Sequence, residues 1–342
     1  MHPTVAVTGG SGFVGSHVLD ALVEAGINVR VLDVVRPHRT DVEWLPVDIL
    51  DTDVLAAALE GMGAVFHLAA MADVNEVFVR PVDSVTMNIT GTASVLEAAR
   101  VAQSGRVVLA STVWVYAATR GDVVDETTPF DPESDRHLYV TQKIASEMMC
   151  RDYLTLYNRP FTVLRYGVPF GPRMRDSCVV AAFFRRAFRG EPLRIDGDGM
   201  QERFLVYVGD LARAHVLALD DRAENRTYNL DGDQPVSICE IAECVGDLVG
   251  DPFGDGSGRV AIEYGPSRPG DLRARVVKTD RAGSEIGWVP QVPFDEGMRR
   301  TYEWYLEHLE LAEGSSVGRG VPAGAAAGTG VGSGNAVAGV DL

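Results

Sequence analysis

Lysine is nearly missing from this chain: of its 31 cationic side chains only Lys143 and Lys278 are lysine, and the rest are arginine. Arginine is the default cation, so each lysine raises the question of what a guanidinium could not do there. Positive charge as a whole is also short. Against 48 acidic side chains it leaves a formal net charge of −17. That excludes general binding to nucleic acid or to an anionic membrane surface, which both need surplus positive charge. Cysteine is scarce, and Cys150, Cys178, Cys239 and Cys244 are scattered without the paired spacing of a metal site. They read as small buried hydrophobes of a reduced, cytoplasmic protein, with no metal and no secretory segment ahead of the first strand-like run. Long apolar runs are missing too: the stretches near 14–23 and 54–70 are too short or too interrupted to span a bilayer, so no membrane is expected as partner. What is present is a chain of 342 residues, 46% hydrophobic and 8% aromatic. It is long enough for one large domain or two modest ones and far from a disordered composition.

Strand-like runs over Thr4–Thr8, Asn28–Val34, Val65–Leu68, Arg106–Ala110 and Phe161–Arg165 alternate with helix patterns at 13–25, 53–60, 84–102 and 138–156. Alternation of this kind predicts right-handed βαβ units and an α/β fold with a Rossmann-type doubly wound parallel sheet. After about residue 170, Gly- and Pro-rich loops separate shorter helix patterns at 179–189, 209–220, 237–249 and 295–311. The expected organisation is a nucleotide-binding domain over 1–170, with a segment at about 203–230 returning to it. A smaller C-terminal substrate-binding lobe spans 171–313, and a flexible Gly/Ala-rich tail covers 314–342. Arg319 and Asp341 cancel within that tail, so the whole −17 sits on residues 1–313.

The segment Thr8-Gly9-Gly10-Ser11-Gly12-Phe13-Val14-Gly15 follows the first strand and opens the first helix. Gly9, Gly12 and Gly15 permit a tight turn and close approach of backbone to a pyrophosphate seated on the helix N-terminus, flanked by Phe13 and Val14. Asp33 ends the second strand, where a carboxylate accepts hydrogen bonds from a ribose diol and repels a 2′-phosphate. The pattern points to NAD, while Arg36 and Arg39 keep NADP as an alternative. Farther on, Tyr139 and Lys143 stand four apart on a helix pattern and so share a face. A nearby ammonium favours the phenolate, which would lower the tyrosine pKa from about 10 and make it a usable base. Thr112, just past Ala110 at the C-terminal edge of a strand, stands where parallel sheets hold ligands. It could hydrogen-bond an oxygen that cycles between alcohol and ketone, or cap a helix.

These segments together resemble an extended short-chain dehydrogenase/reductase of the NAD-dependent nucleotide-sugar epimerase/dehydratase family, over about residues 3–312. The resemblance rests on TGGSGFVGS (8–16), Asp33, Asp48-Ile49, HLAA (67–70), Asn88 with GT (91–92), ST…VY (111–116) and YVTQK (139–143). RYGVPFGPR (165–173), GDGMQERFLVYVGD (197–210) and SRPGD (267–271) extend it into the second half. It implies a catalytic set of Thr112, Tyr139 and Lys143. It also implies an NAD site lined by Asp48, Ile49, Leu68, Ala69, Ala70 and Tyr166, arginine grips on a nucleotide diphosphate at Arg203 and Arg268, and Asp271 near the nucleoside ribose. The family commonly dimerises through helices at about 84–102 and 139–157, so a homodimer is implied as well.

Within that family, dehydratases resemble Thr-Asp-Glu-x-Tyr beside the catalytic threonine, and uronate decarboxylases usually carry a Glu in the same strip. Thr112-Val113-Trp114-Val115-Tyr116 has no carboxylate. What remains is epimerisation at C4 of a nucleotide sugar, most simply a UDP-sugar of the glucose/galactose or glucuronate type, through a 4-keto intermediate. The alternative is a net NAD-dependent oxidoreductase on a ketosugar or a natural-product alcohol. Three positions depart from the family pattern at the substrate end: Val168 stands for the usual Asn, Phe204 for the usual Asp, and Trp114 for a smaller residue. They suggest an unusual sugar or a substrate that is not a nucleotide sugar.

Overall fold

The computed structural model describes residues 4–117, 119, 121–131, 137–250, 260–266 and 275–308. Its centre is a sheet of seven strands: β1 (Val5–Thr8), β2 (Val29–Leu32), β3 (Glu43–Leu45), β4 (Ala64–His67), β5 (Arg106–Thr112), β6 (Phe161–Tyr166) and β7 (Arg226–Leu230). They lie in the order β7-β6-β5-β4-β1-β2-β3, and every neighbouring pair is parallel. A sheet covered on both faces needs apolar side chains on both, and β1, β4, β5 and β6 are buried at every residue. The first helix (Phe13–Glu24) supplies Val18, Leu19 and Leu22 to the core on one face. On the other face Leu55, Leu59, Val95 and Leu96 pack against Ala6, Val65 and Val107. The chain order reverses between β1 and β4, so their C-terminal ends, Thr8 and His67, stand side by side at the point where open α/β sheets bind ligands.

Two strands escaped the sequence pattern. β3 is three residues, two of them charged or indole-bearing, and β7 arrives late in the chain to pair with β6 from Arg226↔Thr162 to Leu230↔Tyr166. Val168–Phe170 and Glu202–Tyr207, which precede β7, and Pro235–Ser237, which follows it, form a separate three-stranded sheet. Helices Val179–Phe188, Ile238–Val249 and Phe294–Glu307 close over it around Phe184, Ile241, Met298 and Tyr305. The tail at 314–342 lies outside the described residues, as do Arg268 and Asp271.

The helix expected over 84–102 is broken into Pro81–Val85, a π-helical turn at Thr86–Thr90, and Gly91–Val101. The wide turn carries Asn88, whose amide accepts from Met71 N (2.8 Å) and donates to Met71 O (2.9 Å) and to Gln142 Oε1 (2.6 Å). Such turns often mark functional positions. This one pins the long helix Leu138–Tyr157 one residue before Lys143.

Candidate active site

Gly9 ends β1 with φ +72, and a Cβ there would sit 2.5 Å from the Ala69 nitrogen. Gly15 is equally constrained, since its Cβ would lie 2.0 Å from the Gly9 carbonyl. Gly12 caps the first helix from extended backbone and has no side chain to satisfy the helix's first N–H groups. The result is a bare helix N-terminus behind a glycine turn, with its partial positive charge exposed to the cleft. Asp33 ties this turn to the end of β2. Its carboxylate accepts from Ser11 N (3.0 Å) and Val35 N (2.9 Å) and keeps lone pairs for a further donor. Beneath them His67 is buried between Thr8 and Thr92, at 2.8 and 3.1 Å. Burial, with the Lys143 charge adding to it, pulls its pKa down to about 3, so it is a neutral strut.

The cleft in front of this turn holds about 310 Å³. On its nucleotide side are Gly9, Gly12, Phe13, Val14 and Gly15, with Leu68, Ala70 and Ala110. Across from them stand Thr112, Tyr139, Lys143, Tyr166, Trp114 and Val168. Asp33, Arg36, Asp48, Ile49, Ala69 and Arg203 do not line it. Of these, Ala69 backs the Gly9 turn, Ile49 packs under Gly91, and Asp48 accepts from Leu50 N at 2.9 Å. Arg203 borders a smaller neighbouring pocket together with Trp114, Val168 and Phe204. The arginines that favoured NADP are occupied: Arg36 lies over the Trp44 ring at 5.5 Å, and Arg39 is bonded to Asp20 and Asp41 at 2.6–2.9 Å.

Tyr139 and Lys143 come from one helix, and Thr112 from the end of β5 beside it. Lys143 Nζ donates to Ala110 O at 2.9 Å and lies 5.8 Å from the centre of the Tyr139 ring. Burial pulls the Lys143 pKa down to about 8, opposed by the Glu147 carboxylate one turn on. The tyrosine corrects an expectation. Its pKa is pushed up to about 12 rather than lowered, because burial outweighs the charge of Arg175, the one cation lowering it. Arg175, on the cleft wall, is a functional candidate the sequence patterns did not flag; it stands alone between two strand-and-helix motifs. Of the two readings of Thr112, the cap is seen directly. It caps the short turn Val113–Tyr116 by accepting from Trp114 N (3.2 Å), and it faces the cleft.

Three further side chains brace the triad from behind. Glu147 and Arg165 form a doubly bonded pair (2.6 and 2.8 Å) that is 0% and 2% exposed. Ser111, one residue before Thr112, donates to the same carboxylate at 2.6 Å. Ser111 and Arg165 lie in the motifs ST…VY and RYGVPFGPR but carried no assigned role, and Glu147 reads as an ordinary helix residue. Lys278, by contrast, is exposed. The four cysteines divide: Cys150 is buried and the other three are half-buried. Among the described residues no cluster of His, Cys, Asp and Glu could hold a metal ion, and no helix is long and apolar enough to cross a membrane.

A turn that any Cβ would fill, a bare helix N-terminus and a carboxylate at the end of β2 fit the pyrophosphate and ribose of a dinucleotide. Comparison with known proteins agrees. Residues 5–231 match the model of the NAD dependent epimerase/dehydratase family. The chain is 31% identical over 314 residues to the UDP-glucose 4-epimerase of Mycolicibacterium smegmatis, covering 87% of this chain and 97% of that one. It is 28% identical to the UDP-N-acetyl-alpha-D-glucosaminuronate decarboxylase of Bacillus cytotoxicus over 88% of this chain and 97% of that one. Among solved structures, Thermotoga maritima UDP-glucose 4-epimerase with UDP-glucose superposes with a TM-score of 0.80 at 30% identity, covering 90% of this chain and 99% of that one.

Proposed function

The chain belongs to the NAD-dependent epimerase/dehydratase family, and we propose that within it the protein inverts C4 of a UDP-sugar and returns its NAD unchanged. The observation that carries this reading is the acid content of the cleft. The dehydratases of the family resemble Thr-Asp-Glu-x-Tyr beside the catalytic threonine and its uronate decarboxylases usually carry a Glu there, whereas Val113 and Trp114 occupy that strip here. Among the described residues the one carboxylate on the wall is Asp73. It accepts from Asn75 N, Glu76 N and Ser177 Oγ, and those bonds hold it below its usual pKa despite its burial. It is therefore ionised and committed, unsuited to act as an acid.

When bound, NAD would supply a hydride acceptor for the sugar carbon and a positive charge. Tyr139 takes the proton of the C4 hydroxyl and later gives it back. Thr112 hydrogen-bonds the same oxygen, as alcohol and as ketone. Lys143, held by Ala110 O, keeps a cation next to the phenol. The 4-keto sugar turns between the two steps, so re-reduction occurs from its other face. Arg203 and Arg268 grip the diphosphate as bidentate donors, with Asp271 near the nucleoside ribose. Similarity to UDP-glucose 4-epimerases supports this reading.

Incubation with UDP-, dTDP- and GDP-sugars, read by NMR, tests it. Inversion at C4 without added NAD is expected. A steady rise in NADH absorbance with no inversion means a net dehydrogenase instead. A cytoplasmic homodimer through the helices at about 84–102 and 139–157 completes the proposal. Exposed Val101, Met148 and Leu156 on those helices support it, and light scattering at native concentration tests it.

A further inference from the structure

A second pocket, of about 60 Å³, lies beside the triad cleft. The two share Trp114 and Val168 in their walls, so a sugar lying against these side chains can place a substituent in it. Asp231, the residue after β7, borders this pocket and is 3% exposed. Its Oδ1 accepts from Gly232 N at 2.9 Å, and among the described residues no cation forms an ion pair with it. Gly167, on the wall of the triad cleft, leaves the room it needs: a Cβ there would sit 1.9 Å from Oδ1. Of the arginines bordering the pocket, Arg275 donates to the Thr119 and Gly121 carbonyls, and Arg203 has one of its bonds to Glu202 O. Burial pushes the Asp231 carboxyl pKa up, and its single backbone bond leaves lone pairs for a further donor.

A buried polar group with one backbone bond gains from a partner that completes its hydrogen bonding. A hydroxyl can do so in either role. A second carboxylate cannot, because like charges at this distance must share a proton or repel. We propose that Asp231 is a specificity-determining residue that hydrogen-bonds a hydroxyl or hydroxymethyl group of a neutral hexose and rejects a sugar bearing a carboxylate. The inference rests on the nucleotide-sugar reading above and narrows it to UDP-hexoses against UDP-hexuronates.

Titration calorimetry of the NAD-loaded full chain with UDP-glucose and with UDP-glucuronate tests it. The wild type is expected to bind UDP-glucose at least tenfold more tightly. Asp231→Asn, nearly the same shape, shifts the ratio of the two affinities at least tenfold toward UDP-glucuronate. Asp231→Ala shifts it the same way and also weakens UDP-glucose. Equal affinities in the wild type, binding of neither ligand, or an unchanged ratio in a folded Asp231→Asn protein overturns the proposal. NMR on the same samples keeps the two inferences apart. Discrimination without C4 inversion defeats the reaction alone, and inversion of both sugars without discrimination defeats the role of Asp231 alone.

Discussion

The two ends of the cleft are built on different principles. At the nucleotide end the backbone itself is the recognition element: Gly9 and Gly15 leave no room for a Cβ, and the helix N-terminus offers its own N–H groups. At the other end, where we propose the sugar lies, side chains shape the wall, with Trp114, Val168, Phe204 and Asp231 around a small pocket. A backbone site tolerates almost no substitution, since relief requires moving a strand. A side-chain site can be refitted by one exchange. This is why one fold can keep its cofactor and change its substrate.

Mutations can sharpen that contrast. The largest effect is expected at the seam between the two ends. Tyr139→Phe should cut kcat by about 10³-fold or more, roughly 4 kcal/mol, while absorbance and fluorescence still report bound NAD; full turnover in this variant would remove the mechanism. Glu147→Gln, behind the seam, strands Arg165 without its counter-charge and should cost about 3–5 kcal/mol in urea unfolding; a loss under about 1 kcal/mol would show the pair to be dispensable. Acid should weaken the nucleotide half through its neutral histidines. His67 and His215 are buried, and burial depresses their pKa values to about 3 and about 4. The unfolded chain takes up their protons below about 6.5, so stability is full above that pH and falls as pH drops toward 4. The slope is about 1.4 kcal/mol per pH unit for each histidine. A midpoint that stays flat from pH 6.5 to 4.5 would contradict this. The smallest effect is expected from ending the chain at residue 313, which should leave kcat/KM and Tm unchanged in paired assays.

Much of the nucleotide end was legible in the sequence because its signals are local. Glycine spacing, a strand before and a helix after, and a Tyr–Lys pair one turn apart each lie within about ten residues, where backbone sterics and helical period act directly. The parts that stayed hidden depend on distant segments. β3 and β7 are short and lack a strong pattern, and they become strands because a finished sheet offers them an edge. The break in the helix at Thr86–Thr90 depends on Asn88 finding Met71 and Gln142, 17 and 54 residues away. Arg175 reaches the cleft from a loop whose sequence carries no period at all. The tyrosine pKa was misjudged for the same reason: proximity to a cation is visible in a spacing, whereas burial is a property of the assembled walls.

By itself, then, the sequence determined the sheet-and-helix class, the glycine turn, the Asp33 carboxylate and the placing of one of only two lysines one helical turn from a tyrosine. Those follow from periodicity and from what glycine and lysine alone permit. Tertiary structure decided which charges are available. It laid Arg36 over Trp44, paired Arg39 with Asp20, joined Glu147 to Arg165, and buried Asp231 beside the smaller pocket. Pairing and desolvation act between residues far apart in the chain, and only the folded arrangement brings those residues together.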